Sequence, residues 1–257
     1  MDGRKQRRIS RSTVLYIPVS ALIILLLIVF GISVFMKVLE IKVTGVSMYT
    51  DEQIISASGI MQGDNTLFID TDAAARTIHK ELPFIRDVTI TRVPPSTVLI
   101  EITESKALAG ITYKNSVLII DSNCKVLVIM DNLPDGLIDV RGLSIEEPVE
   151  GSPIKVELGN ETQLQYLKDV LDAIEKENIE RDISYLDVSN TSRISFEYLG
   201  KFRVILGNPS SARNKLNKLH GIVAKIRAER SGGAEGEIDM TDPTGEGEYI
   251  YKPKPKS

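Results

Sequence analysis

The chain has 257 residues, and its 31 lysines and arginines against 35 aspartates and glutamates give a formal net charge of −4. The first thirteen residues carry five basic side chains and one aspartate, or +4, so the remainder carries about −8. An acidic remainder argues against a nucleic-acid-binding surface. The single cysteine, Cys124, rules out an intrachain disulfide.

Val14 to Met36 form an apolar run without a charged residue. As a helix, this run would span roughly 34 Å, which is enough to cross a hydrocarbon core of about 30 Å. We therefore predict a transmembrane helix at 14–36. Two alternatives are a buried core helix and a cleaved signal peptide, although a signal peptide has a shorter apolar run followed by a small-residue cleavage site. The basic residues before the run predict a cytoplasmic tail at 1–13, with everything after Met36 outside.

Residues 38–106 show a β-α-α-β-β order of predicted elements. These are a strand at Leu39–Thr44, a helix from a Thr50–Gln53 capping box to Ser58, a helix at Asp72–Glu81, and strands at Ile85–Thr91 and Thr97–Thr103. Gly59 stands where a helix C-cap is expected. Two amphipathic helices can cover one face of a three-stranded sheet, so the pattern predicts a small α+β domain.

This segment contains a series of short motifs in a fixed order: Val43–Gly45 and the helix after it, Leu67-Phe68, Leu82-Pro83 before Val88, Arg92-x-Pro94, Ile100-x-Ile102-x-Glu104 and Ala107. With these motifs the segment resembles the POTRA domain of the bacterial FtsQ/DivIB cell-division family. Each element is common by itself. Their order and spacing, directly after a single predicted anchor, is specific.

Residues 107–251 predict a mostly β domain with two helices. The predicted elements are a hairpin of Val117–Ile120 and Lys125–Ile129, helices at Glu161–Glu177 and Ser210–Glu229, and strands at Ser184–Val188, Arg193–Tyr198, Lys201–Leu206, Glu237–Met240 and Glu248–Tyr251. Leu186-Asp187-Val188 and Val204 to Gly207 resemble the β domain of the same family. The lysines and prolines of 252–257 predict a disordered tail.

The first hairpin turn departs from the family pattern, which often has glycine there. This chain has Asn123-Cys124, and we expect Asn123 to tolerate the left-handed conformation that the turn needs. Cys124 is interpreted as a turn residue without a function of its own.

The resemblance implies a non-catalytic, membrane-anchored scaffold of the division machinery. It also implies a location at the septum of the bacterial plasma membrane, with FtsL-like and FtsB/DivIC-like coiled-coil proteins as partners, and septal peptidoglycan synthases as further candidates. It implies no nucleic-acid partner and no small-molecule substrate. Two other classes remain open: an anchored cell-wall enzyme or its regulator, and a POTRA-type export chaperone.

The last predicted strand, Glu248, Tyr249, Ile250 and Tyr251, is the candidate partner-binding site. If it lies at a sheet edge, its backbone can accept a strand from a partner. Tyr249 and Tyr251 project to one face and have the aromatic character of binding hot spots. The alternative is that both tyrosines complete the core of their own domain.

No catalytic, cofactor-binding or metal-binding pattern is visible in the sequence. His79 and His220 are the two histidines, they lie far apart, and no further ligand stands at metal-like spacing. The chain also lacks nucleophile-elbow, P-loop and dinucleotide-binding motifs. We therefore predict no enzyme activity, no cofactor and no metal.

Overall fold

The computed structural model describes residues 11–45, 48–230, 233–241 and 249–254. The chain forms two compact units: Met1–Ile78 with Asp87–Thr103, and His79–Arg86 with Glu104–Ser257. The sequence predicted a domain boundary between residues 106 and 107. In the structure, the long segment of the second unit begins at Glu104, three residues earlier. The short stretch from His79 to Arg86 also belongs to the second unit.

After an initial helix, the elements of residues 40–104 follow the predicted β-α-α-β-β order. The elements are α1 (Arg11–Phe35), β1 (Glu40–Thr44), α2 (Asp51–Ser58), α3 (Thr71–Glu81), β2 (Ile85–Val93) and β3 (Thr97–Glu104). The strand order is β1-β3-β2, and β1 runs parallel to β3. The α+β prediction for this part of the chain is confirmed.

The ends of α2 form as the sequence predicts. The Thr50 hydroxyl accepts the Gln53 N–H at 3.3 Å, and the Gln53 side chain accepts the Thr50 N–H at 2.9 Å. These two bonds satisfy donors that the first helical turn would otherwise leave unpaired. At the other end Gly59 adopts φ 69°, the left-handed conformation of a C-cap.

Helix α1 begins at Arg11, inside the predicted tail, and ends at Phe35. The large apolar side chains described in it are exposed, among them Leu27 at 63% and Phe30 at 69%. Over the described part of the chain, no helix combines the length and apolarity needed to cross a membrane. The transmembrane and cytoplasmic assignments of 14–36 and 1–13 stay predictions, and residues 1–10 lie outside the described part.

The second unit contains one nine-stranded sheet and two helices. Its elements are β4 (Ala109–Tyr113), β5 (Ser116–Ile120), β6 (Val126–Met130), β7 (Ile138–Arg141), α4 (Glu161–Glu177), β8 (Ile183–Asp187), β9 (Ile194–Tyr198), β10 (Phe202–Gly207), α5 (Ala212–Glu229), β11 (Gly236–Asp239) and β12 (Ile250–Pro253). The strand order is β12-β11-β10-β9-β8-β7-β4-β5-β6.

Both long helices of this unit are crossovers between parallel strands. Helix α4 joins β7 to β8, and α5 joins β10 to β11. The apolar stripes of the two helices are buried in one core with the sheet, as Leu171 and Ile174 of α4 and Leu219 and Val223 of α5 show. Both helices therefore cover the same face.

Strand β4 was not predicted, because Gly110 interrupts its apolar pattern. A Cβ at position 110 would lie 2.3 Å from Leu133 Cδ1 and 2.8 Å from Val117 Cγ1. The glycine therefore allows Leu133 to pack directly on the strand backbone. A glycine inside a strand can indicate such a close approach, but the sequence does not show what approaches.

The first hairpin turn differs from the prediction in the residue that takes the left-handed conformation. It is Cys124, with φ 58°, and not Asn123. The thiol is fully buried, and burial raises its pKa to about 12. Asp121 holds the turn, because its Oδ1 accepts the N–H groups of Asn123 and Lys125, each at 2.9 Å.

Helix α4 carries a half-buried acidic group, Glu175. Its Oε1 accepts a hydrogen bond from Arg86 at 2.9 Å, and its Oε2 accepts one from the Ser122 hydroxyl at 2.6 Å. Burial alone would raise the pKa of Glu175, but these bonds and the charges of Arg86 and Lys106 together hold it below its ordinary value. The ionised form therefore contributes to stability.

We expect Glu175→Gln to lower the free energy of unfolding at pH 7 by about 1–3 kcal/mol, because it removes a charged acceptor from two donors. A lowered native pKa means that the carboxylate contributes fully above its unfolded pKa, and that the contribution is lost as the pH falls through the native pKa. The difference between variant and parent should therefore shrink below about pH 4. Urea unfolding at several pH values measures it.

Asp172→Asn on the same helix is the matched control, since its ion pair with Lys176 (2.7 Å) is about half exposed on both sides. Exposed pairs contribute about 0–1 kcal/mol. Equal losses for the two variants at pH 7 would contradict the role given to Glu175.

We also expect Cys124 to react slowly with an aromatic disulfide reagent at pH 8 in the folded protein, because burial keeps the thiol protonated and inaccessible. The reaction should become fast in urea. Leu158→Cys adds a thiol at a position that is 96% exposed and serves as the fast-reacting reference. Equal folded-state rates at the two positions would show that the turn is open.

Candidate partner-binding edge strand

The candidate site lies at one end of the nine-stranded sheet. Ile250 and Tyr251 begin β12, Tyr249 directly precedes it, and Glu248 lies outside the described residues. Strand β12 stands last in the strand order and, among the described residues, pairs with β11 alone, antiparallel, with Ile238 opposite Tyr251. Of the predicted residues that are described, Ile250 and Tyr251 therefore lie in an edge strand, and Tyr249 lies directly before it.

The strand is longer at its end than the sequence predicted. Lys252 and Pro253 belong to β12, where Pro253 lies opposite Gly236, whereas the prediction assigned both to a disordered tail. Proline is tolerated on an edge strand, because its missing N–H can face away from the neighbouring strand. Residues 255–257 of that tail lie outside the described part.

A glycine allows β12 to pair closely with β11. A Cβ at Gly236 would lie 2.2 Å from the backbone oxygen of Lys252 and 3.0 Å from the Cα of Pro253. No side chain fits in that space. Sequence reasoning missed Gly236, and its position at the start of a predicted strand was the available signal.

The two tyrosines face the core of their own unit, as the alternative interpretation proposed. Tyr249 and Tyr251 are half-buried and pack against the main core. The Tyr251 ring lies 6.5 Å from the Phe202 ring and 5.0 Å from the Arg230 guanidinium, and its hydroxyl donates to the Glu235 carbonyl at 2.8 Å. The exposed apolar residue of β12 is Ile250, at 62%.

The backbone of β12 alternates between β11 and the free edge. The Lys254 N–H donates to the Glu235 carbonyl at 2.9 Å, so residues 254, 252 and 250 direct their backbone groups toward β11. Tyr251 and Pro253 then direct theirs to the edge. This edge offers one N–H, from Tyr251, and two carbonyls, which is a small template for an added strand.

The opposite edge of the sheet, at β6, is covered by the chain itself. The Val126 N–H donates to the Ser152 carbonyl at 2.9 Å, and the Gly151 N–H donates to the Val126 carbonyl at 2.8 Å. Farther along β6, the Ile129 N–H donates to a Glu150 side-chain oxygen at 2.8 Å. Of the two edges, the one at β12 has no described segment paired with its outer side.

The face of the sheet opposite the helices carries a row of alternating charges that ends at β12. Registers place Glu197 opposite Arg203, Arg203 opposite Glu237, and Glu237 opposite Lys252. The Lys252 ammonium lies 3.4 Å from a Glu237 oxygen. Sequence reasoning missed this row, because strand pairing between distant segments was not predicted.

Asp239 is the last residue of the neighbouring strand, β11. Burial alone would raise its pKa, but the Thr241 hydroxyl and N–H both donate to it, and the charges of Arg193 and Lys252 add to this, so its pKa lies below its ordinary value. Asp239 thus remains a carboxylate at neutral pH. It lies opposite Ile250, beside the exposed part of β12.

The arrangement suits binding of an extended peptide. A groove of about 400 Å³ borders the edge and is lined by charged side chains of β9 to β12, including Arg203 and Lys252. Within the described residues, no group of three His, Cys, Asp or Glu side chains is placed to hold a metal ion. The absence of enzyme activity stays a prediction.

Comparison with known proteins adds a family match for the β-α-α-β-β segment. Residues 36–105 match the family model described as POTRA domain, FtsQ-type. This range covers β1 to β3 and the two helices between them. It corresponds to the segment in which the sequence resembles that domain.

Several characterised relatives extend the match. The chain is 32% identical to the cell division protein FtsQ of Corynebacterium glutamicum, over 50% of this chain and 59% of the relative. It is 39% identical to the cell division protein DivIB of Brevibacillus brevis, over 41% of this chain and 39% of the relative. A longer match, to DivIB of Clostridium botulinum, is 25% identical over 93% of this chain and 90% of that protein.

The chain thus spans less than two thirds of the length of the first two relatives, whereas the third match covers both units. The range matched by the family model contains the β-α-α-β-β segment of the fold. Residues 36–105 thus form a POTRA domain of the FtsQ type, and the chain is similar to cell division proteins named FtsQ and DivIB.

Proposed function

We propose that this protein is a non-catalytic scaffold of the bacterial cell-division machinery. Its relatives are named cell division proteins, which supports a role in division. The open edge at β12 is the observation that carries the scaffold role, because such an edge binds another chain without any chemistry. FtsL-like and FtsB/DivIC-like coiled-coil proteins are the proposed partners, and the scaffold links them to the septal peptidoglycan synthases.

A membrane anchor at 14–36 is part of this proposal. It is supported by the charge-free sequence of the run, by the basic residues before it, and by the exposure of the apolar side chains of α1. An isolated helix with such a surface is costly in water, since each buried CH₂ group gains about 0.8 kcal/mol. The anchor holds the chain after Met36 on the extracytoplasmic side, at the septum.

The partner segment is proposed to add to the sheet as a strand next to β12. The Tyr251 N–H and the carbonyls of Tyr251 and Pro253 supply the backbone pairing. Ile250 supplies exposed apolar surface on the face that bears the charged row. Tyr249 and Tyr251 have a supporting role here, because they fix β12 on the core from the opposite face.

We expect Ile250→Asp to reduce recovery of the coiled-coil partners about tenfold or more, because a loss of 1.4 kcal/mol or more is typical of a residue central to an interface. The side chain is exposed, so the unfolding midpoint should change little. Pull-down of the tagged full-length chain from detergent-solubilised cells, followed by mass spectrometry, measures the recovery.

Met130→Asp is the matched control, since Met130 is a 42% exposed apolar residue at the end of the covered edge strand β6. A chain ending at Glu246 removes the whole of β12. Equal recovery by the parent and all three variants would reject the site at β12. Recovery of none of the proposed partners by the parent would reject the scaffold role.

We further expect Gly236→Ala to weaken partner recovery without touching any partner-facing side chain. The added methyl group overlaps the Lys252 backbone, so β12 must shift away from β11. Hydrogen exchange at the Lys252 and Lys254 amides should rise in parallel. Gly221→Ala in α5, where a Cβ meets nothing within 4 Å, should leave both readouts unchanged.

A further inference from the structure

Three segments of the first unit meet where α1 ends. The Thr66 N–H donates to the Met36 carbonyl at 2.7 Å, and Lys37 forms an antiparallel bridge with Asn65. The Leu39 N–H donates to the carbonyl of Ser96, in the turn between β2 and β3. The 61–68 turn and the 93–96 turn are therefore both fixed beside the residues that follow the helix.

These segments expose apolar side chains on that end of the unit. We call them the α1-exit surface: Leu39 (70% exposed), Met61 (68%), Leu67 (41%), Phe68 (83%) and Val93 (44%). Single exposed apolar residues are ordinary on protein surfaces. Five of them on segments that meet at one point indicate a surface that contacts another apolar phase.

The charges around this surface favour an anionic interface. Lys37 and Arg92 are exposed, and Arg92 donates to the Leu67 carbonyl at 3.0 Å, which holds its cation beside Phe68. The nearby carboxylates have local partners. Asp64 accepts the Met61 N–H, Asp70 accepts the Ala73 N–H, and Glu40 pairs with Lys42 at 3.3 Å.

We propose that the α1-exit surface lies in the interfacial layer of the same bilayer that α1 spans, with Phe68 and Leu67 inserted among the lipid headgroups. The inference rests on the proposed membrane anchor. It goes beyond that anchor, because it assigns to the first unit a second, separate contact with the membrane. The occupant of the surface is the lipid itself, and not a partner protein.

Distance supports the lipid as the occupant. Lys37 follows the last residue of α1 by two positions, at most about 8 Å along the chain. Asn65 pairs with Lys37 at a strand spacing of about 5 Å. The polar layer on each side of the hydrocarbon core is about 5–8 Å thick. The turn that carries Leu67 and Phe68 is therefore within reach of this layer, where aromatic side chains are enriched.

The chain contains no tryptophan, so a single introduced tryptophan is a clean fluorescent probe. Three full-length variants, each reconstituted in phosphatidylcholine–phosphatidylglycerol vesicles, make the test. Phe68→Trp probes the surface, and Phe30→Trp probes the helix itself. Thr103→Trp probes an exposed position of β3 that lies six residues, or about 20 Å, beyond Thr97. Quenching by lipids brominated along the acyl chain measures the contact.

We expect quenching for Phe68→Trp and Phe30→Trp, with shallow bromine positions more effective than deep ones for Phe68→Trp, and no quenching for Thr103→Trp. Quenching of Phe30→Trp alone would overturn the inference and leave the anchor intact. Quenching of none of the three would reject the anchor, and the inference with it. Equal quenching of Phe68→Trp and Thr103→Trp would also overturn the inference, since contact would then not be specific to the α1-exit surface.

Discussion

The second unit depends on the handedness of two crossovers. A helix that joins two parallel strands of one sheet is right-handed almost without exception. Strands β7 and β10 point the same way, and each crossover steps to the neighbouring strand in the same direction along the sheet. Both α4 and α5 must then lie on one face, as the shared core confirms. In the described part of this unit, the other face carries no helix, and the sheet does not close into a barrel.

An open sheet has two edges, and in this protein the two differ in how their outer backbone groups are paired. At the β6 edge, the Val126 N–H donates to the Ser152 carbonyl and the Val126 carbonyl accepts the Gly151 N–H. These backbone groups are therefore not available to a partner strand. The β12 edge ends in a proline and carries lysines on either side of it, features that limit unspecific pairing. Such an edge discourages random aggregation while it leaves the Tyr251 backbone groups available. Selective strand addition needs both properties.

Interactions between residues a few positions apart made much of the fold predictable. Pairing between strands that lie far apart in the sequence was not predictable. The Thr50 capping box and the stripe of α5 each follow from residues a few positions apart, and both are present. The strand order was not predictable, because parallel pairing joins segments separated by whole helices. A period of two placed Tyr249 and Tyr251 on one face of the candidate site, but could not tell whether that face is the core. The same limit applies to Pro253. A proline fits in a strand where its missing N–H faces the unpaired side of that strand, and the sequence does not show which side is unpaired.

The size of the β12 edge bounds what it can do alone. Its three outward backbone groups contribute about 0.5–1.5 kcal/mol each in net terms, or roughly 2–5 kcal/mol together. A dissociation constant of 1 mM already corresponds to 4.1 kcal/mol, and ordering the partner strand costs further free energy. Backbone pairing therefore fixes the direction and register of a partner rather than its affinity. The affinity must come from side chains on the exposed face, where Ile250 provides apolar area and Lys252 ends a row of alternating charges that an acidic partner residue would continue.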